Sequence, residues 1–563
     1  MSHLSAWTAL CTIALSSLGC QAAIDDAPGK DDPDMPGGGS GTGGGGPIIT
    51  NPLDRDAIGD RCAETQLAPP QLRRLTAPEL DRTLRDLFPP LAGGWAGVRL
   101  GADPTSTLGF SNDARMLVVA PQTAQELLDT AQEVATELTS GATLGTLVPC
   151  AAEAAPGRAC ADQVVQVLGG KLFRRTVAAD EVAEYGALFD SVAAKSDFAS
   201  GAKWMLVAMI QSPHTIYRAE LGTGSGTRQL APHEIASALS YTFGGTVPSP
   251  ELMASAERGE LAAPAARVAV AKQLLETPAG QEQLRTFLAE WSGYARIASK
   301  TKTTVAGFDE LRESMLQETS LFLGEAVVTR RGGMRELLTA NYTVLNGSLA
   351  GLYGFGPTEA AGFELTERPP GRGLGLLAQG SILAGSAHSD TSSPTLRGLV
   401  VYERLLCHQR VKPPPGIPTI DVPTPGVTTT RQRYEVAHGG KPGCATCHQN
   451  FDPIGFGFEH FDEAGRYRQD EQGLVIDATG KVLASDGTPL FSFNGLDDLT
   501  TQLAALPEVA DCVSGLAAAY AFAGAGGRAC LAEEARAKFA SGELGVLDYY
   551  AELAATPSFV ERR

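Results

Sequence analysis

Two cysteines and a histidine stand together at Cys444-Ala445-Thr446-Cys447-His448. Two thiols three residues apart can reach the two vinyl groups of one haem and form thioethers, while the histidine that follows turns onto the iron. The spacing points to one covalent haem c, held at Cys444 and Cys447 with His448 as proximal metal ligand. Three other chemistries use the same residues: a structural disulfide between Cys444 and Cys447, a thioredoxin-like redox pair, or half of a zinc site. Zinc needs four ligands, and no second C-x-x-C or H-x-x-x-H follows at the usual spacing. A redox pair needs a βαβ setting, which the surrounding sequence lacks.

All eight methionines lie at or before Met334, so the downstream methionine ligand of small electron carriers is missing. His438, at the end of the short helix expected in TTRQRYEVAHGG, is the first candidate for a second metal ligand, followed by His388 and His460. Met205, Met209 or His214 from the distant helical body, or an open iron position, are the other options. The choice matters because doubly ligated iron mostly passes electrons, whereas an open position binds peroxide, oxygen or another small molecule. The polar run His388-Ser389-Asp390-Thr391 reads either as a pocket lining or as a capped loop before the helix at Pro394.

After the motif comes FDPIGFGFEHFDEAGRYR. Asp452-Pro453 makes a turn, Gly455 and Gly457 permit close backbone approach, and Phe456, Phe458 and Phe461 offer apolar walls. Arg466 and Arg468 are placed to meet haem propionates, or are solvated surface arginines. Phe456 and Arg468 are the cofactor-binding candidates beyond the motif itself.

These residues need a large scaffold. At 563 residues, 43% of them hydrophobic and 19% charged, the chain is globular and too long for a single core. The net charge of -19 argues against nucleic acid as a partner and against an anionic membrane surface. Residues 1 to 20 carry no Lys, Arg, Asp or Glu around an apolar centre, as in a secretion signal, and end in Ser17-Leu18-Gly19-Cys20, which is similar to a lipoprotein cleavage site. The expectation is an exported chain, either an outer membrane lipoprotein lipidated at Cys20 and held to the membrane by that lipid alone, or a periplasmic or cell-surface protein. The acidic and glycine-rich stretch 21–60 is a tether.

Helical periodicity recurs at 122–138, 163–172, 180–194, 199–212, 266–276, 280–292 and 308–329. Thr76, Pro78 and Glu79 form a capping box for the helix that carries Leu80, Leu84 and Leu87. The start at Leu230 is related, but Ala231 lacks the capping hydroxyl. Trp291, Phe322, Met205 and Met209 are core at such spacing rather than a cofactor box. The stretch LVIDATGKVLASDGTPLFSF alternates, with turns expected at Ala478-Thr479-Gly480 and Asp486-Gly487.

The fold class expected is mainly α: a multi-domain helical body with a cytochrome c-like C-terminal region and a small β-hairpin. Its segments are 61–140, 146–222, 226–360, 365–470 with the haem motif, and 471–560. With Cys20 lipidated and Cys444 and Cys447 on haem, six cysteines remain for an oxidising compartment. Short loops favour Cys150 with Cys160 and Cys512 with Cys530, leaving Cys62 with Cys407.

The motif region resembles the planctomycete cytochrome c-like family of exported multi-domain proteins with domains of unknown function. C-x-x-C-H, D-P-x-G-F and E-x-F-D-x-x-G-x-x-R are matched at Cys444, Cys447, His448, Asp452, Pro453, Gly455, Phe456, Glu459, Phe461, Asp462, Gly465 and Arg468. Further blocks are similar at 73–87, at 173–181 with Thr176 where the family favours Pro, and at 239–243 with Gly244 in place of an aromatic. The resemblance continues at Ser393-Pro394 and Arg397-Gly398, and at Asp477, Gly480, Asp486 and Gly487. It implies export, helical architecture and a cytochrome-like site, but no settled reaction. The leading function is monohaem electron transfer at the cell envelope, with a redox partner protein or a small-molecule electron donor or acceptor. The alternatives are a surface binding or scaffold lipoprotein whose C-x-x-C is a disulfide, and a haem enzyme with an open iron site.

Overall fold

The computed structural model describes residues 67–356, 362–409, 429–439, 442–524 and 533–563. The signal, Cys20, the tether, Cys62, the proline run from Val411 to Gly426 and Cys530 lie outside these residues.

Local chemistry starts the helices. The Thr76 hydroxyl accepts the Glu79 amide at 3.3 Å and the Glu79 carboxylate accepts the Thr76 amide at 2.9 Å, which opens Ala77–Leu87. Leu80 and Leu84 of that helix are buried. Ala231 leaves its helix, Pro232–Leu239, with half of this arrangement: Glu234 accepts the Ala231 amide at 2.8 Å without a return bond from a side chain. The other periodic stretches are helices at Pro121–Thr139, Ala179–Ala193, Phe198–Ile210, Pro264–Glu276, Pro278–Ser292 and Phe308–Leu323, the last running on into a π-helix at Gly324–Thr329, while 163–172 runs from Arg158–Val164 through a π-helix at Val165–Gly169 into Gly170–Phe173. No single helix among the described residues is long and apolar enough to cross a membrane.

Among the described residues, side chains from different segments share cores. Leu127, Val134 and Leu138 from one segment pack in the same core as Val164, Met205, Leu206 and Met209 from the next. A second core joins Phe287, Trp291 and Phe322 to Val401, Leu405, Leu499, Leu516 and Tyr550. Within it the Trp291 indole donates to the Arg404 carbonyl at 3.0 Å. Trp291, Phe322, Met205 and Met209 are therefore all core residues.

Strands among the described residues form only two-stranded antiparallel ladders. Gln71–Arg74 pairs with Tyr217–Glu220, and Glu561–Arg562 returns from the chain end to pair with Arg228–Gln229. Glu220, fully buried, joins these ladders by accepting Arg73 at 2.9 Å, Arg218 at 2.6 Å and Arg562. The hairpin Thr479–Leu483 with Pro489–Asn494 turns at Asp486-Gly487, where Gly487 has φ 87°. The turn expected at Ala478-Thr479-Gly480 is not one. Thr479 and Gly480 lie in the strand, paired with Asn494 and Phe493.

Cys150 and Cys160 are bonded, as their spacing suggests. Cys512 pairs with Cys407 instead of Cys530, so the pairings Cys512 with Cys530 and Cys62 with Cys407 are corrected. Short-loop reasoning counts only closure entropy. Tertiary packing decides here: Cys512 is buried on Pro507–Ala521 with its sulfur 3.7 Å from the carbonyl of Arg404, at the end of Pro394–Arg404. The two Cα atoms are 5.4 Å apart, within disulfide reach.

Candidate functional site

Three glycines set the frame of the site. A Cβ on Gly398 would lie 1.9 Å from the Phe451 carbonyl oxygen, and one on Gly455 would lie 1.8 Å from that of Pro394. Pro394–Arg404 and the short helix Asp452–Gly455 therefore pack backbone against backbone. On the other side, a Cβ on Gly480 would lie 2.1 Å from the Pro453 oxygen, so the hairpin closes onto the same short helix.

Arg397 locks the chain beyond the motif. Its fully buried guanidinium donates to the carbonyls of Phe458 at 3.1 Å, Phe461 at 2.6 Å, Leu383 at 3.2 Å and Asp462. Burial draws its pKa down to about 10, against the opposing pull of Glu459. Arg468 completes the clamp, donating to the buried Glu459 carboxylate at 3.0 Å and to the Ser392 hydroxyl at 3.1 Å.

The motif lies on Pro442–His448. Cys444 and Cys447 are half-buried, unpaired thiols one helical turn apart, and so share a face. His448 begins a polar cluster around Asp452. Asp452 accepts Nδ1 of His438 at 2.7 Å and Nδ1 of His448 at 3.0 Å, and the Thr395 hydroxyl donates to it at 2.6 Å. Burial works to raise the Asp452 carboxyl, but the bonds from His438, His448 and Thr395 outweigh it and hold the group below its ordinary value. The two imidazoles touch, with ring centroids 3.6 Å apart and planes tilted by 36°. Tyr434 meets His438 edge-on at 5.0 Å, and Phe451 meets His448 likewise at 5.0 Å.

A cavity of about 710 Å³ opens beside this cluster. His438, His448, Asp452 and Phe456 line it from the motif side, with Pro453 and Phe493 as further apolar wall and Thr479, Lys481, Ser492 and Asn494 from the hairpin. Arg431 spans the rim, its guanidinium 4.6 Å over the Phe456 ring and donating to the Thr479 carbonyl at 2.7 Å. Ala445 and Gln449 also line it, whereas Cys444 and Cys447 lie on another face of the motif helix, and only His448 borders both.

The structure thus brings His438, His448 and Phe456 to one cavity, whose lining does not include Cys444 or Cys447. It does not bring Arg468 there, nor Arg466, which pairs with Asp462 at 2.5 Å. Among the described residues, the lysine and arginine side chains on the cavity are Arg431 and Lys481. His388 lies behind Tyr434, its Nε2 3.4 Å from the phenol oxygen, and His460 meets the Arg468 carbonyl through Nδ1 at 3.0 Å. Met205 and Met209 are sealed in the N-terminal core, and His214 sits 3.5 Å from Glu181. Sequence reading missed Asp452 as the hub of the site, and Thr395 with it. The available signal was the spacing of four residues from His448 to Asp452.

Four family models match the chain in succession. They are PSD3 (protein of unknown function, DUF1587) over residues 73–140, PSD5 (protein of unknown function, DUF1595) over 160–220, PSD4 (protein of unknown function, DUF1592) over 230–355, and PSCyt3 (protein of unknown function, DUF1588) over 373–471. The order fits a planctomycete-type multi-domain protein, and a link to cytochrome c is suggested only by the name PSCyt3. The cavity's motif side falls inside that last match, while the hairpin lies beyond it. No curated protein and no solved structure matches the chain.

Proposed function

We propose that this chain is an exported, monohaem c-type redox protein of the cell envelope, with haem attached through Cys444 and Cys447 and its iron bound by His448. The observation that carries the reading is the donor set: two unpaired thiols one turn apart, followed by an imidazole whose Nδ1 is held by a buried carboxylate. Its Nε2 carries no hydrogen bond to any described residue and is the ring nitrogen left for a metal. The donor set fits haem c, and the cavity at His448 is within the range of cofactor sites, about 300–1,000 Å³.

Haem supplies one-electron chemistry and, with a vacant coordination position, binding of small molecules. The chain's own residues orient the base, wall the site with Phe456, Pro453 and Phe493, and present Lys481 to anionic groups, Arg431 being paired with Glu435 and Asp477. His438 fits poorly as the ligand opposite His448. Two imidazoles across one metal, each with a metal–nitrogen distance of about 2.0 Å, hold their ring centres about 6 Å apart, whereas these rings are at 3.6 Å. That contact favours a sixth position not filled by His438, and with it the second reading of a haem open to a small ligand.

Export and lipidation at Cys20 belong to the same proposal and rest on the leader alone. Production with a cytochrome c maturation system should give one haem per chain that stays bound on denaturation and is lost in C444A/C447A. A denatured chain without haem, or with Cys444 bonded to Cys447, refutes the reading and favours the scaffold alternative. Cyanide or carbon monoxide should alter the spectrum of the loaded chain. An inert spectrum would leave electron transfer and remove the open position.

A further inference from the structure

We infer that Asp452 is a positioning residue that fixes both His438 and His448 in the Nδ1–H tautomer, so that two Nε2 lone pairs are offered side by side at one cavity. The inference rests on the haem reading only in naming iron as what His448 would bind. The tautomers belong to the chain itself.

A carboxylate only accepts hydrogen bonds, and a neutral imidazole carries a single N–H. Nδ1 of His438 lies 2.7 Å and Nδ1 of His448 3.0 Å from a carboxylate oxygen of Asp452, against 3.5 Å from His448 Nδ1 to the Thr395 hydroxyl. If either ring were protonated on Nε2 instead, its Nδ1 lone pair would face a carboxylate lone pair at that distance. Asp452 is only 4% exposed, so little solvent would screen the repulsion. The Thr395 hydroxyl donates at 2.6 Å and is the third donor on the same carboxylate, fixing its plane. Both residues line the cavity, and their hydrogen bonds to Asp452 run through Nδ1. One buried acid therefore sets two bases. His438 and His448 are in ring contact, so a metal held at His448 would have His438 as an immediate neighbour.

The test is ¹⁵N-histidine NMR of the full-length, haem-free chain at a pH where the imidazoles are neutral. Resonances are assigned by their loss in H438Q and H448Q. The expected result is the Nδ1–H pattern at both rings. An Nε2–H pattern at either ring overturns the proposal. In D452N the Nδ1–H pattern should be lost from at least one ring, and D452E should restore it; unchanged tautomers in folded D452N also overturn it. If D452N does not fold, the wild-type spectrum alone decides.

In haem-loaded protein, D452N should keep its covalent haem, because the thioethers do not depend on Asp452. Its reduction potential should rise as His448 loses the carboxylate that strengthens it as a donor. A merely structural Asp452 would leave the potential unmoved. Failure of the haem reading is seen separately, as a matured chain without haem but with both Nδ1–H patterns intact.

Discussion

Gly455→Ala separates two effects that ordinarily act in opposite directions. Gly455 has φ -65° and ψ -26°, helical values that alanine adopts without strain. Helix propensity alone would make the substitution favourable by about 0.5–1 kcal/mol. Against that, the new Cβ would sit 1.8 Å from the Pro394 oxygen and 2.4 Å from its carbonyl carbon, more than an ångström inside any ordinary contact. The neighbour is backbone, locked at the start of Pro394–Arg404 by the Ser393 cap and held from the other side by Gly398 against Phe451. No flexible side chain can yield. Overpacking of this kind costs about 1–3 kcal/mol, and with a backbone neighbour the upper part of that range applies, so the net change is a destabilisation of about 2 kcal/mol. Thermal melts and urea titration of the full-length protein measure it. Gly351→Ala is the internal control, an exposed position in Gly347–Tyr353 with nothing within 4 Å of the new Cβ, where a gain of about 0.4–1 kcal/mol is expected. If Gly455→Ala is as stable as wild type, or more so, the backbone-to-backbone account of the site is wrong.

Three further outcomes can be measured on the same protein. Arg397→Met should destabilise by about 3–5 kcal/mol, because it unpairs buried Glu459 on one side and strands the carbonyls of Phe458 and Phe461; a loss below 1 kcal/mol in a denaturant titration argues against the clamp. Arg175 binds Glu181 through two hydrogen bonds, at 2.7 and 2.8 Å, and holds its carboxyl down to about 2 from an ordinary 4.5. The folded value is the lower one, so the stabilisation is present above about 4.5 and lost as pH falls through about 2. The stability of Glu181→Gln should be correspondingly flatter across that window. His438→Ala in haem-loaded protein should leave the spin state of the iron unchanged, since the ring stands beside His448; a changed spin state would make His438 a ligand after all.

The helical fold was legible because its signals are local. Thr76 with Glu79, the Leu80 and Leu84 face, and the periodic stretches each act within a few residues, and each is found where expected. Gly455 and Gly457 were read as close-approach points and are such, against Pro394 and Phe493. What stayed hidden depends on contacts remote in sequence. Cys407 and Cys512 meet across 105 residues because two core helices converge, a fact that loop length does not encode. Arg468 looks like a propionate ligand by its position after the motif, yet its partner is Glu459, which is buried against Arg397 on Pro394–Arg404 and Ser392 just before that helix. Asp452 reads as an ordinary turn acid until Thr395 and His438, from elements before the motif, arrive on it.

The same dependence bears on whether the site can exist apart from the body. Pro394–Arg404 does two jobs at once. Ser393, Thr395, Arg397 and Gly398 build the site, while Val401 and Leu405 belong to the core shared with Trp291, Leu516 and Tyr550. Its end is stapled through Cys407 to Pro507–Ala521, and the cavity's far wall is the hairpin, both beyond the 373–471 match. An excised fragment spanning 373–471 would therefore expose the apolar face of this helix and lose the hairpin from the cavity. It should lack cooperative unfolding, whereas a fragment running from 226 to the C-terminus should retain it. A cooperative melt for the short fragment would show that the motif region carries its own core and that its union with the C-terminal helices is not what holds the site.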